Sequence, residues 1–219
     1  MSDDTDHVLT DLRPRFDAIL AQLESVAGWQ TARVQRPVMI LGSLDGIETG
    51  IRQLIRERPL ETKELEVAGH RITVPTEAEM LRIKAVLILR RNATRDYLDL
   101  AALAAHMGKE QVARALGCLD DLYPQASGES PLQQLQVQLA HPMPYDLEQT
   151  DLSEYRRLHP DWHNWTRVEQ VCAEVAADLF QRSCIAPYKG EPGVRLRSQR
   201  TARLAISFIP TGKASSLKS

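Results

Sequence analysis

Five residues on one short stretch carry the types and spacing that chemistry on a charged ligand needs. Lys84-Ala-Val-Leu-Ile-Leu-Arg-Arg91-Asn-Ala-Thr-Arg95-Asp96-Tyr-Leu-Asp99-Leu sets a lysine among Ile83, Ala85, Val86 and Leu87. Arg91, Arg95, Asp96 and Asp99 then cluster around Asn92-Ala93. Asp96 and Asp99 are three apart, so on a helix both carboxylates share a face near its N-terminus, where negative charge is favoured. A lysine on one helix and carboxylates at the start of the next can converge on one polyanionic ligand or one metal. The competing reading is an Arg–Asp ion-pair network between two helices.

The surrounding elements must place these residues. Thr76-Glu77-Ala78-Glu79 is a capping box, so a helix is predicted from there to about Arg91. A second is predicted from Thr94 or Arg95 to Met107, with Gly108 as its stop. Further helices are expected over Lys109–Tyr123, Pro131–Ala140, Asp151–Leu158 and Trp165–Gln181, with His-Pro-Met-Pro-Tyr at 141 to 145 as a rigid linker into the last of them. Before Pro75 the period changes. Asp11–Gly28 reads as an amphipathic helix, Val38–Leu41 as a strand, Gly42–Gly46 as a turn and Ile47–Ile55 as another strand. Leu65 and Val67, then Ile72 and Val74, alternate about Ala68-Gly69-His70 as in a hairpin. The fold class expected is α+β, a small mixed sheet with flanking helices followed by a helical bundle. Three regions result: a sheet region at 1–75, a helical region at 76–185 and a basic tail at 186–219.

The run from Lys84 to Asp99 resembles the signature of the AbiEii/AbiGii-like nucleotidyltransferase (toxin) family: a Lys, an Arg seven residues on, Arg/Lys-Asp, then an Asp three further. Lys84, Arg91, Arg95, Asp96 and Asp99 match all five positions, and Val74-Pro75-Thr76-Glu77 looks like the family's entry to this helix. The resemblance implies a nucleotidyltransferase-like fold and Mg²⁺-dependent transfer of an NMP from an NTP to an acceptor hydroxyl, in a toxin–antitoxin or abortive-infection system. It assigns catalysis to Lys84, Asp96 and Asp99, and substrate binding to Lys84, Arg91 and Arg95. It also points to Ser2-Asp3-Asp4-Thr5-Asp6, where Asp4 and Asp6 would share one side of a strand and hold Mg²⁺. A third carboxylate would come from Asp45 or Glu48. The implied partners are an NTP, a tRNA or other acceptor, and a cognate antitoxin. The family's Gly-rich turn before the Asp pair has no counterpart here, since Gly42-Ser43 falls after the carboxylates. The alternative function is therefore a catalytically inactive relative that binds protein or RNA.

Composition bounds the rest. The chain has 219 residues, a formal net charge of −2 and 43% hydrophobic residues, ordinary for a globular protein. No apolar run approaches the roughly 18 residues of a membrane span. The acidic start has neither a basic region nor an apolar one, so no signal peptide and no membrane partner are expected, and the cytoplasm is the expected location. Cys118, Cys172 and Cys184 form no CxxC pair. His159 and His163, four apart with Pro160 between them, make a poor zinc pair. From 186 to 219, seven Lys and Arg face Glu191 alone, or +6, which leaves −8 on the first 185 residues. Such a tail is expected to pack poorly on the body, with one apolar interruption at Leu204–Ile209.

Overall fold

The element order is β-α-β-β-β-β-β followed by helices, and the α+β class read from the sequence is the class observed. The computed structural model describes residues 4–155 and 158–183. Residues 1–3, with Ser2 and Asp3 of the acidic N-terminal run, 156–157, Cys184 and the basic tail lie outside the described residues. Two compact units divide the described chain, one ending at Pro75 and the other beginning at Thr76.

In the first unit, β1 (Asp4–Leu9), β2 (Trp29–Gln35), β3 (Met39–Leu44) and β4 (Ile47–Gln53) form a mixed sheet in the order β1-β4-β3-β2. β1 runs parallel to β4, and the other pairs are antiparallel. Helix α1 (Leu12–Glu24) supplies the crossover that the parallel pair needs. Its apolar stripe, Leu12, Phe16, Ile19 and Leu20, packs on Ile40 and Ile51. Gln53 ties the end of β4 to the start of α1, accepting from the Arg13 amide and donating to the Thr10 carbonyl. Separately, β5 (Thr62–Val67) and β6 (His70–Pro75) form the expected hairpin.

In the first unit, two departures from the sequence reading have clear causes. Gly42-Ser43-Leu44 is strand rather than turn. The reversal is confined to Asp45-Gly46, with φ of 49° and 82°, the two-residue primed turn that matches strand twist. Gly42 is required for another reason: a Cβ there would lie 2.5 Å from the Trp29 ring and 2.6 Å from the Gln30 carbonyl. β2 has no counterpart in the reading at all. It is an edge strand, nearly all of it exposed, so no apolar alternation marks it.

The second unit is a helical bundle of α2 (Glu77–Arg91), α3 (Thr94–Met107), α4 (Lys109–Leu116), α5 (Leu119–Leu122), α6 (Pro131–Ala140) and α7 (Trp165–Ser183). Thr76 Oγ1 accepts from the Glu79 amide, as the capping box predicts. Leu81, Ile88, Tyr97, Leu100, Leu116, Leu135, Leu139 and Cys172 make the centre of its core. The helix expected over 109–123 breaks at Gly117-Cys118 into α4 and α5. The helix expected over 151–158 is only a 3₁₀ turn at Leu152–Glu154. Asp151 caps that turn, its carboxylate accepting from both the amide and the hydroxyl of Ser153.

Candidate functional site

The elbow between α2 and α3 gathers the residues that the sequence singles out in the second unit. Asn92 caps α2 in the left-handed conformation, φ 46° and ψ 43°, which a short amide side chain tolerates. That sharp exit swings α3 back over α2. Arg91, at the end of one helix, then grips Asp96, in the first turn of the next. Nε lies 2.5 Å from Oδ2 and Nη2 lies 2.7 Å from Oδ1, a bidentate fork. Asp96 is fully buried, while Arg91 is partly open to solvent. The hydrogen bond to Asp96 pushes the Arg91 guanidinium further up, burial works against it, and Asp99 adds to the rise.

Lys84, two turns earlier on α2, has Nζ 2.5 Å from Asp99 Oδ2. The two form a close ion pair. Both side chains are mostly enclosed, 15% and 29% exposed. Lys84, Asp96 and Asp99 therefore sit together, with the ammonium turned to its own bundle. Arg95 is half-buried and acts electrostatically on Tyr155. Burial pushes the Tyr155 phenol up, Asp146 adds to that, and Arg95 opposes it.

The segment after α6, which reads as a rigid linker, is the elbow's clamp. Asn92 Nδ2 donates to the Met143 carbonyl at 2.7 Å, and the Tyr145 amide donates to the Asn92 carbonyl at 3.1 Å. Asp146 Oδ1 accepts from both the amide and the hydroxyl of Thr94 at 2.7 Å, capping α3 from 52 residues away. Tyr97 donates its hydroxyl to Asn92 Oδ1 and packs edge-on to Trp165, with ring centroids 6.1 Å apart. Sequence reasoning missed Asn92, Tyr97 and Asp146. The Asn at a helix end, two residues before Thr94, was the available signal for the first; nothing local marks Asp146.

Asp4 and Asp6 lie on β1, in the first unit, apart in the chain organisation from Lys84, Arg91, Arg95, Asp96 and Asp99 in the second. Asp6 Oδ1 accepts from Arg52 Nε at 3.3 Å and hangs over Gly50, where a Cβ would come within 2.1 Å of it. Asp45 sits in the β3–β4 turn and Glu48 on β4, register partner of Asp4. Among the described residues no three His, Cys, Asp or Glu side chains are placed to share a metal ion. His159 Nδ1 accepts from the Asp161 amide in a short turn at Pro160–Trp162.

Cys172 on α7 is a buried free thiol, pushed up to about 12 by burial, with Glu169 adding to the rise. Its neutral form is thus favoured by folding. The corresponding stability is present below the unfolded thiol value of 9.0 and is lost as pH climbs towards 12. In a Cys118→Ala/Cys184→Ala background, Cys172 should react with a thiol reagent at pH 8 on the order of a thousandfold more slowly in the folded chain than in denaturant. Equal rates in the two states would show that the thiol is not enclosed as described.

No family model matches the chain, and no solved structure matches it. Among curated proteins, it is 34% identical over 132 residues to the heme uptake protein MmpL11 of Mycobacterium tuberculosis, covering 58% of this chain and 13% of that one. The mycolic acid-containing lipids exporter MmpL11 of Mycolicibacterium smegmatis is 33% identical over 135 residues, with the same coverage. MmpL11 of Mycobacterium leprae, named as a transport protein, is 30% identical over 189 residues, 83% of this chain and 16% of that one. The chain thus spans less than a fifth of the length of these relatives. Their names overturn the expectation of nucleotidyl transfer and of a toxin role, because the similarity runs to transport proteins. In the charged run at 84–99, Lys84 pairs with Asp99 and Arg91 with Asp96, joining two helices across a short turn. Among the described residues, no helix is long and apolar enough to cross a membrane.

Proposed function

We propose that this chain serves a transport protein of the MmpL11 kind as a domain lying outside the bilayer, on its cytoplasmic side. The observation that carries this is the similarity to MmpL11 proteins over 58% to 83% of the chain, in a polypeptide whose described helices are too short or too polar to span a membrane. The cargo of the relatives, heme and mycolic acid-containing lipids by their names, is the class of cargo we assign to the whole assembly. Within it the helical unit works as a rigid body. Its charged elbow is spent on internal pairs, which fits a module that transmits or anchors rather than one that turns over a substrate.

The test is an exchange. The stretch of the M. smegmatis exporter that matches this chain is replaced by this chain, and mycolic acid-containing lipids at the cell surface are measured. Export at a level near that of the unmodified exporter is the expected result, with loss when the stretch is simply deleted. A chimera that reaches the membrane in normal amount yet exports no more lipid than the deletion would overturn the assignment.

A further inference from the structure

Met143 and Tyr145 stand out from the helical unit, 67% and 70% exposed, while the prolines that alternate with them, Pro142 and Pro144, are buried. The backbone that carries them is held in place. Asn92 binds the Met143 carbonyl and the Tyr145 amide, and Asp146 is tied to Thr94. Each proline fixes its own φ as well. Two large side chains are thus presented outward on a pre-ordered loop, and a contact made through them costs little further ordering.

Arg91 adds a charge of one sign. Its partner Asp96 has no exposure, whereas the arginine side chain is 36% exposed, so the pair shows its positive end to solvent. Asp96 engages Nε and Nη2, which leaves Nη1 for an outside acceptor. Tyr145 lies within electrostatic reach of the same guanidinium. Glu148, three residues past Tyr145, is also exposed. The field here is therefore weak, and the two large side chains carry most of any contact.

Magnitude decides what that contact is with. A stable protein interface buries about 1,200–2,000 Å² in total, far more than two side chains and one arginine edge supply. A bilayer asks for less. Tyrosine, apolar along its ring and polar at its tip, suits the level of the headgroups. Methionine is apolar, and a guanidinium donates to lipid phosphate. A module joined to a transport protein is also held beside the membrane, and tethering raises the effective concentration to about the millimolar range. A weak contact then suffices.

We propose that the α2–α3 elbow rests on the phospholipid surface, with Tyr145 and Met143 entering the headgroup layer and Arg91 Nη1 donating to a lipid phosphate. The tether rests on the transport reading; the contact itself does not.

Sedimentation of the full chain with vesicles of phosphatidylglycerol and phosphatidylcholine in equal parts tests it. Vesicle binding beside a failed exporter chimera would sink the transport reading alone, and a working chimera without vesicle binding would sink this proposal alone. Met143 and Tyr145 are tied to Asn92 through their backbones. Met143→Ser with Tyr145→Ser should therefore leave the urea midpoint unchanged while vesicle partition falls roughly tenfold. Tyr145→Trp should raise partition by roughly threefold. The basic residues from 186 to 219 are the same in every variant, so these differences report the elbow. No sedimentation of the unmodified chain would overturn the proposal. So would equal partition of the double variant, which would assign the attraction to the basic tail. A concentration-dependent dimer that the double change abolishes, with partition unaltered, would identify a second copy as the occupant and would overturn it equally.

Discussion

Arg91→Ala is expected to destabilise the helical unit by about 3–5 kcal/mol, the cost of leaving a buried carboxylate uncompensated. The magnitude follows from an asymmetry within the pair. Asp96 has no solvent access, whereas Arg91 is open over about a third of its side chain. Removing the arginine therefore strands a charge with nowhere to turn. Asp96→Ala instead leaves a guanidinium that can swing to water, and should cost less. Arg91→Lys should recover little, because an ammonium cannot reproduce two parallel N–H···O bonds from one planar group. Urea unfolding of the three variants and of the double Arg91→Met/Asp96→Leu change gives the pair's worth. The double change should lie much nearer the unmodified protein than Arg91→Ala does, since an apolar pair of similar volume has no charge to strand. A loss below about 1 kcal/mol for Arg91→Ala would mean that Asp96 finds another donor or water, and would reopen the elbow as a site for a ligand.

What the sequence revealed of this elbow, and what it hid, follows from the same physics. The helices on either side were readable because their ends carry local chemistry: Thr76 at the start of α2, and Gly108 after α3. The charged spacing was also readable, since Arg91 and Asp96 face each other only if a turn separates two helices. Whether those charges wait for a ligand or satisfy one another was not, because that depends on burial. The Met143–Asp146 clamp comes from more than fifty residues away and leaves no local trace. The first unit shows the same limit. β3 and β4 announced themselves by apolar content, but β2, an exposed edge strand, carries no pattern to detect. The basic tail was visible only as a charge asymmetry with one apolar interruption at Leu204–Ile209.

Arg82→Ala is the second substitution expected to cost about 3–5 kcal/mol. Glu79 is the fourth residue of the capping box, whose carboxylate would ordinarily reach back to the helix start. Instead Glu79 is fully buried, its Oε2 accepting from Arg82 Nη1 at 3.1 Å. Arg82 in turn donates Nε to the Ala115 carbonyl at 2.8 Å, near the end of α4. The two charges thus staple α2 to α4 through the bundle interior. Their spacing held the clue: Glu79, Arg82 and Val86 recur at three and four, so a carboxylate and a guanidinium ride on the stripe that α2 buries. Truncating Arg82 removes a donor from the Ala115 carbonyl and a guanidinium from the buried Glu79 carboxylate. Glu79→Gln keeps the shape and an acceptor for Arg82, but lowers the charge assistance, so a loss of about 1–2 kcal/mol is expected. Replacing both, as Glu79→Leu with Arg82→Met, should be close to neutral. The ordering decides the matter: Arg82→Ala worst, Glu79→Gln intermediate, the double change mildest. If the double change were as damaging as Arg82→Ala, the staple's contribution would lie in shape and in the bond to Ala115, and the buried-charge account would fail.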